Sequence, residues 1–239
     1  ATGNAFILKV ASPVPSASHF VARLYQEAGL PDGLFNVIAG DRNLVGDILT
    51  HPGIDAISFV GSSPVAHIVQ DTGVAHGKRV QALGGANNHA IVMPDADIEF
   101  AAQHISAGAF GAAGQRCMAL PVIVAVGGIA EKLVPAIKAR AEKIVVGPGT
   151  DPACEMGPVI TRSSQQRITK WIDEAEANGA SVVLDGRGYK PEGEEYADGF
   201  WLGPTILDNV DRKLDIYCEE VFGPVLVVVH ADTYEEAIE

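Results

Sequence analysis

The chain has 239 residues, 47% of them hydrophobic and 20% charged, which suits one or two domains with a sizeable core and excludes a disordered chain. No apolar run approaches the roughly 20 residues of a membrane-spanning helix, and neither region of a signal peptide is visible at the N-terminus. The net charge of −13 repels phosphate backbones and argues against a nucleic-acid partner, while loop amides and single lysines leave room for a small anionic ligand.

Residues 5–10 are apolar and short and read as a strand. A helix follows, with Phe20, Val21, Leu24 and Ala28 on one face, Pro15 and Ser16 at its start and Gly29 and Pro31 at its end. Residues 35–38 and 56–60 are strands, with a helical stretch over 44–49 between them. This alternation predicts right-handed βαβ units and a parallel sheet. Two further strands, 80–83 and 90–93, flank Gly84-Gly85.

Asp95 and Asp97 open a helix to about Phe110, followed by a loop of small residues ending at Cys117. Residues 121–126 form a strand, and 133–144 a helix with Pro135 in its first turn or at a kink. The strongest helix signal covers 163–178, with Ser163 and Gln166 as a capping box and Ile168, Trp171, Ile172 and Ala175 on one face. A strand at 182–184 leads into a Gly-rich acidic surface excursion over 186–199, and 225–229 reads as a buried strand. Thr233 and Glu236 signal another helix N-terminus one turn before the last residue. Helices that short are marginal, so the chain is expected to be a piece of a longer protein.

Gly61-Ser62 follows a strand and precedes a helix with Pro64 in its first turn, the context in which a dinucleotide phosphate meets helix amides. The turn lacks G-x-G-x-x-G, so local sequence favours an ordinary βα connection over a cofactor loop. The cysteines, Cys117, Cys154 and Cys218, are odd in number and widely spaced, which indicates neither disulfides nor zinc and fits a reducing compartment. Cys117 fits two roles: a reactive thiol beside Arg116, or the start of a buried strand with Met118, Ala119 and Leu120. Glu219 and Glu220 abut an apolar strand, so one of them is expected to turn inward, where a ribose hydroxyl would satisfy it. His51, His67, His76, His89 and His104 show no metal-ligand spacing, and no metal site is expected.

Read together, Leu8-Lys9, residues 28–37 (AGLPDGLFNV), 57–62 (ISFVGS), 83–85 (LGG), 114–117 (GQRC) and 219–224 (EEVFGP) resemble the aldehyde dehydrogenase superfamily in type and order. Residues 77–86 (GKRVQALGGA), Asn88-His89, 92–97 (VMPDAD) and 114–119 (GQRCMA) are closer still to its CoA-acylating methylmalonate-semialdehyde dehydrogenase branch. The resemblance implies an α/β fold. Residues 1–86 would be the C-terminal portion of a Rossmann-like NAD-binding domain, and 87–239 a catalytic domain incomplete at its C-terminus. It implies Cys117 as nucleophile, Lys9 on the adenosine ribose, Ser62 at the pyrophosphate turn, and Glu220 with Phe222 beside the nicotinamide ribose. The choice of Glu220 over Glu219 rests on counting back from Phe222.

The implied reaction is NAD-dependent oxidation of methylmalonate or malonate semialdehyde through a cysteine thioester, with CoA as acyl acceptor and propionyl-CoA or acetyl-CoA as product. A homo-oligomer, dimer or tetramer, is implied too, in the bacterial cytoplasm or the mitochondrial matrix. The oxyanion-hole Asn of the family would lie upstream of Lys9, outside the chain, so the isolated residues are expected to be inactive alone.

Ser12 replaces the carboxylate that the family places near Lys9, which leaves NAD against NADP open, and Asn87 stands where the branch has Lys. Ala82 stands where hydrolytic members carry the Glu that activates the deacylating water. A thiol acceptor needs less help, so Ala82 favours CoA over water. Two other readings are a hydrolytic semialdehyde dehydrogenase using another base, and a non-catalytic module on a degenerate dehydrogenase fold.

Overall fold

The computed structural model describes residues 3–239, which fall into two compact units divided between Gly85 and Ala86. The first unit alternates strand and helix. Strand β1 (Phe6–Lys9), helix α1 (Pro15–Glu27) and strand β2 (Phe35–Ile38) make one βαβ step, with β1 parallel to β2 and Lys9 opposite Ile38. Helix α2 (Arg42–Thr50) leads to β3 (Ala56–Val60), α3 (Ser63–Ala75) and β4 (Arg79–Leu83), with β3 parallel to β4. The expected alternation is therefore present. Asp41 caps α2 by accepting from the Asn43 amide at 2.9 Å, and α1 begins at Pro15 as its sequence indicates. The apolar face of α1, with Phe20, Val21 and Leu24, is exposed.

The second unit is built on one five-stranded sheet. Its strands are β5 (His89–Val92), β6 (Val122–Val126), β7 (Ser181–Leu184), β8 (Thr205–Asp208) and β9 (Val225–Ala231), in the spatial order β5-β6-β9-β8-β7. All neighbours are parallel except β7 with β8. Central strands buried on both faces read as unbroken apolar runs, and β6 (VIVAV) is buried throughout. Helices α4 (Ile98–Phe110), α5 (Ala130–Ala141) and α6 (Arg162–Ala177) supply the rest of the core, notably Phe110, Leu133, Ile137, Ile168 and Ile172. Short helices α7 (Asp215–Cys218) and α8 (Tyr234–Ile238) follow β8 and β9.

Several details depart from the sequence reading. The cap of α6 is Thr161, whose hydroxyl accepts from the Ser164 amide at 3.1 Å, and not Ser163. Both hydroxyl residues suit the role, and the helix starts at the first. Helix α5 begins at Ala130, so Pro135 lies beyond its first turn. The 186–199 excursion is anchored: Gly186 is buried against Gly203, and the Tyr189 hydroxyl donates to the Val146 carbonyl at 2.9 Å. Strand β8 and helix α7 carry no clear sequence signal. Among the described residues no helix is long and apolar enough to cross a membrane.

Candidate active site

In the second unit, the chain leaves α4 through a turn that its residue types make feasible. Ala112, Ala113 and Gly114 all adopt left-handed backbone, with φ of 52°, 53° and 66°. Each left-handed alanine costs about 1–2 kcal/mol, a strain found where the surrounding structure fixes a functional segment. Gly114 is required here, because a Cβ would overlap the Gly223 carbonyl. The loop carrying Cys117 and the segment carrying Glu220 and Phe222 therefore meet backbone to backbone.

Beyond the turn, Cys117 is exposed and reduced, and Met118 is 83% exposed. The strand begins only at Val122, so the buried-strand role for Cys117 is excluded. Arg116 is exposed too, and its guanidinium lies over Gly111, where a Cβ would meet Nη1 at 2.6 Å. Cys154 contrasts with Cys117: burial and then the charge of Asp151 push its thiol above the ordinary value.

Two side chains that sequence reasoning missed grip the segment that carries Cys117. Gln115 donates to the Pro158 carbonyl at 3.2 Å and accepts from the Ile160 amide at 2.8 Å. Asn88 donates from Nδ2 to the carbonyls of Cys117 at 2.9 Å and Ala119 at 2.8 Å. Its neighbour Asn87 donates to the Tyr217 carbonyl at 2.7 Å, while its buried Oδ1 has no partner among the described residues. The residues just ahead of β5 thus reach both the segment of Cys117 and the helix preceding Glu219. No local pattern announces these contacts, since their partners lie far along the chain.

Of the two glutamates, Glu219 is exposed and Glu220 is half-buried. Arg167 of α6 faces Glu220: burial lowers the guanidinium below its ordinary proton affinity and the Glu220 charge opposes this. The same guanidinium donates to the Val221 carbonyl at 2.8 Å and lies 4.4 Å from the Trp171 ring centroid. Phe222 follows with φ 49° and is 38% exposed, so its ring is held out by a strained backbone.

In the first unit, Lys9 ends β1 and Ser62 immediately precedes α3, both at carboxyl ends of parallel strands, where open α/β sheets bind ligands. Lys9 is half-buried and makes no ion pair among the described residues. Ser62 is exposed and its side chain caps no amide, so the first-turn donors of α3 are open. The turn is braced from β4: the Gly61 amide donates to the Leu83 carbonyl at 3.1 Å, and the Gly85 amide to Ser63 Oγ at 3.0 Å. Ala82 occupies a half-buried position on β4.

Residues 1–239 match the aldehyde dehydrogenase family throughout. The chain belongs to that family. Among family members, a malonate-semialdehyde dehydrogenase of Geobacillus kaustophilus is 48% identical over 239 residues, which are 100% of this chain and 49% of that protein. The bovine mitochondrial acylating methylmalonate-semialdehyde/malonate-semialdehyde dehydrogenase is 46% identical over 99% of this chain and 43% of its own length. A methylmalonate-semialdehyde dehydrogenase structure from Oceanimonas doudoroffii superposes with a TM-score of 0.94 at 47% identity, covering 99% of this chain and 48% of that one. A Sinorhizobium meliloti protein described as a methylmalonate-semialdehyde dehydrogenase, in complex with NAD, gives the same TM-score of 0.94 at 47% identity. The chain thus spans about half the length of the relatives it matches.

Proposed function

We propose that the whole protein oxidises malonate or methylmalonate semialdehyde with NAD through a thioester on Cys117, and passes the acyl group to CoA. The observation that carries this reading is Cys117 itself: an exposed thiol on main chain fixed by a left-handed turn, by Gln115 and by Asn88. The names of relatives at 46–48% identity support the substrate class.

In this reading, the Cys117 thiolate attacks the aldehyde carbon and forms a thiohemiacetal, with the alkoxide facing backbone donors of the loop. Loss of hydride from that carbon leaves a thioester. NAD, when bound, supplies the hydride acceptor. The residues suit such a ligand: Lys9 offers an ammonium that makes no ion pair among the described residues, Ser62 and the amides of the first turn of α3 suit a pyrophosphate, and Glu220 offers a carboxylate to a ribose. The first unit then serves as part of the NAD-binding domain (residues 1–86) and the second as the catalytic domain (87–239).

The acyl acceptor is argued from Ala82. A methyl group cannot take a proton from water, whereas the CoA thiol is partly ionised near neutral pH and attacks the thioester unaided. Collapse releases the Cys117 thiolate and an acyl-CoA; loss of the substrate carboxylate as carbon dioxide leaves its bonding pair as a thioester enolate, and protonation of the α-carbon from solvent gives propionyl-CoA or acetyl-CoA.

The test uses the whole protein. Semialdehyde and NAD without CoA should give a burst of NADH of about one equivalent per site, followed by a slow steady rate. Added CoA should raise that rate, with acyl-CoA forming in step with NADH. Rapid release of free acid without CoA rules the CoA-acylating reading out and leaves the hydrolytic one.

A further inference from the structure

We infer that Asn88 is a positioning residue that holds the main chain of the nucleophile segment and thereby sets the rate at which Cys117 reacts. The inference rests on the reading of Cys117 as nucleophile, but the clamp is a property of the structure and can be tested separately.

Asn88 immediately precedes β5, and β5 runs parallel to β6 with His89 opposite Val122. The residues entering these two strands therefore lie side by side, which brings the Asn88 side chain onto residues 117–119. Its Nδ2 stands 2.9 Å from the Cys117 carbonyl and 2.8 Å from the Ala119 carbonyl. Both partners are obligate acceptors, so the amide orientation is fixed: only the NH2 end satisfies them. The segment is otherwise held by the Ala119 amide on the Arg116 carbonyl at 2.9 Å and the Leu120 amide on the Gly108 carbonyl at 3.1 Å.

Neither of these two bonds restrains the peptide plane after Cys117. Asn88 does, because it takes the carbonyl of Cys117 itself. Gln115 fixes the chain two residues earlier, on residues 158–160. The thiol is thus exposed while the backbone on each side of it is tied to the rest of the unit. Support of this kind, from a residue adjoining a sheet strand, is how a reacting atom is held within a fraction of an ångström. Asn88 touches neither thiol nor substrate in this role; it acts through the carbonyl.

Asn88→Asp and Asn88→Ala separate this role from packing. Asp keeps the shape but turns a carboxylate oxygen toward two carbonyls, whereas Ala only removes the donor. If Asn88 merely fills space, Asp is the milder change. If it donates, Asp is the worse one. In the 239-residue chain, amide exchange at Ala119 and Leu120 should quicken in Asn88→Ala and more so in Asn88→Asp, with β9 amides unchanged. In the whole protein, the NADH burst should slow by about tenfold or more, in the same order, with KM for NAD within about twofold of wild type. Unchanged exchange, unchanged burst rates, or an Asp variant milder than the Ala variant overturns the inference. Turnover surviving in Cys117→Ala would instead remove the nucleophile assignment, and the exchange measurement would still decide whether the clamp exists.

Discussion

Gly114 and Gly223 touch through their backbones: a methyl group on Gly114 would run into the Gly223 carbonyl, and one on Gly223 into the Ile168 side chain. This double glycine contact brings the loop of Cys117 against the segment of Glu220 and Phe222, which in turn packs on α6 through Ile168.

Gly114→Ala should therefore be far more damaging than a left-handed backbone alone explains. Gly128 is the control, with φ +79° and nothing within 4 Å of its would-be Cβ. Gly128→Ala should cost about 1–2 kcal/mol for the backbone. Gly114→Ala should cost about 2 kcal/mol more, from overlap with main chain that cannot give way. Denaturant unfolding of the two variants reads the difference, and equal losses would show that the close approach is unimportant.

Cys117→Ala in the whole protein should abolish turnover and leave the melting temperature almost unchanged, because the exposed sulfur packs against little. Residual dehydrogenase activity in the purified variant would remove the thiol from the mechanism.

Under the proposed role of Lys9 at the adenosine ribose, remote from the chemistry and contributing uniform binding, Lys9→Ala should raise KM for NAD more than it lowers kcat. Glu220→Gln should act mainly on kcat. It removes the charge facing Arg167 while Arg167 keeps its bond to the Val221 carbonyl, so the segment should stay folded. Unchanged NAD affinity by titration in Lys9→Ala would count against its role.

Lys78 is a buried cation, 7% exposed, that sequence reading passes over. Its Nζ donates to the carbonyls of His51 at 2.5 Å and Ile54 at 2.6 Å, closing the chain after α2. Lys78→Met keeps the stem and strands both acceptors, and should destabilise the first unit by about 2 kcal/mol. Chemical denaturation followed by hydrogen exchange in β3 and β4 would measure it.

Arg187 binds Asp185, Asp173 and Glu176 at 2.6–2.7 Å, and its hydrogen bond holds the Asp185 carboxyl below the usual carboxylate range. A depressed carboxylate stabilises the fold above its unfolded value, and that stabilisation fades as pH falls through the lower folded value. Arg187→Gln should cost roughly 1 kcal/mol at neutral pH, given the exposure of the acidic partners. The gap in stability between variant and wild type should close below about pH 4. A gap that persists unchanged into acid would assign the loss to packing.

The sequence shows its regular elements where one face is repeated or one run is buried. Helix α6 and strand β9 are of this kind, with Ile168, Ile172 and Ala175 fully buried on one and five successive core residues in the other. Strand β8 hides because its four residues continue an apolar stretch broken by Gly203-Pro204, so no period can develop. At the candidate site, Cys117 and the Glu219-Glu220 pair stand out because reactive residue types sit beside runs of small or apolar residues. Asn88, Gln115 and Arg167 do not: each acts on a carbonyl or amide 29 to 54 residues away, and backbone groups leave no mark in a sequence.

The position of β9 bears on how the second unit forms. It lies at the centre of the sheet, between β6 and β8, yet it is almost the last element described. Its pairing with β6 joins Val122 to Val227, about a hundred residues apart. Pairings this distant close slowly, because the intervening chain must give up its freedom before any contact rewards it. During synthesis β5 and β6 can associate early, but the other edge of β6 stays unpaired until residues 225–231 leave the ribosome. The nascent unit is therefore most vulnerable to aggregation before β9 emerges, and a few residues removed from β9 should abolish folding where the same number removed from α8 should not.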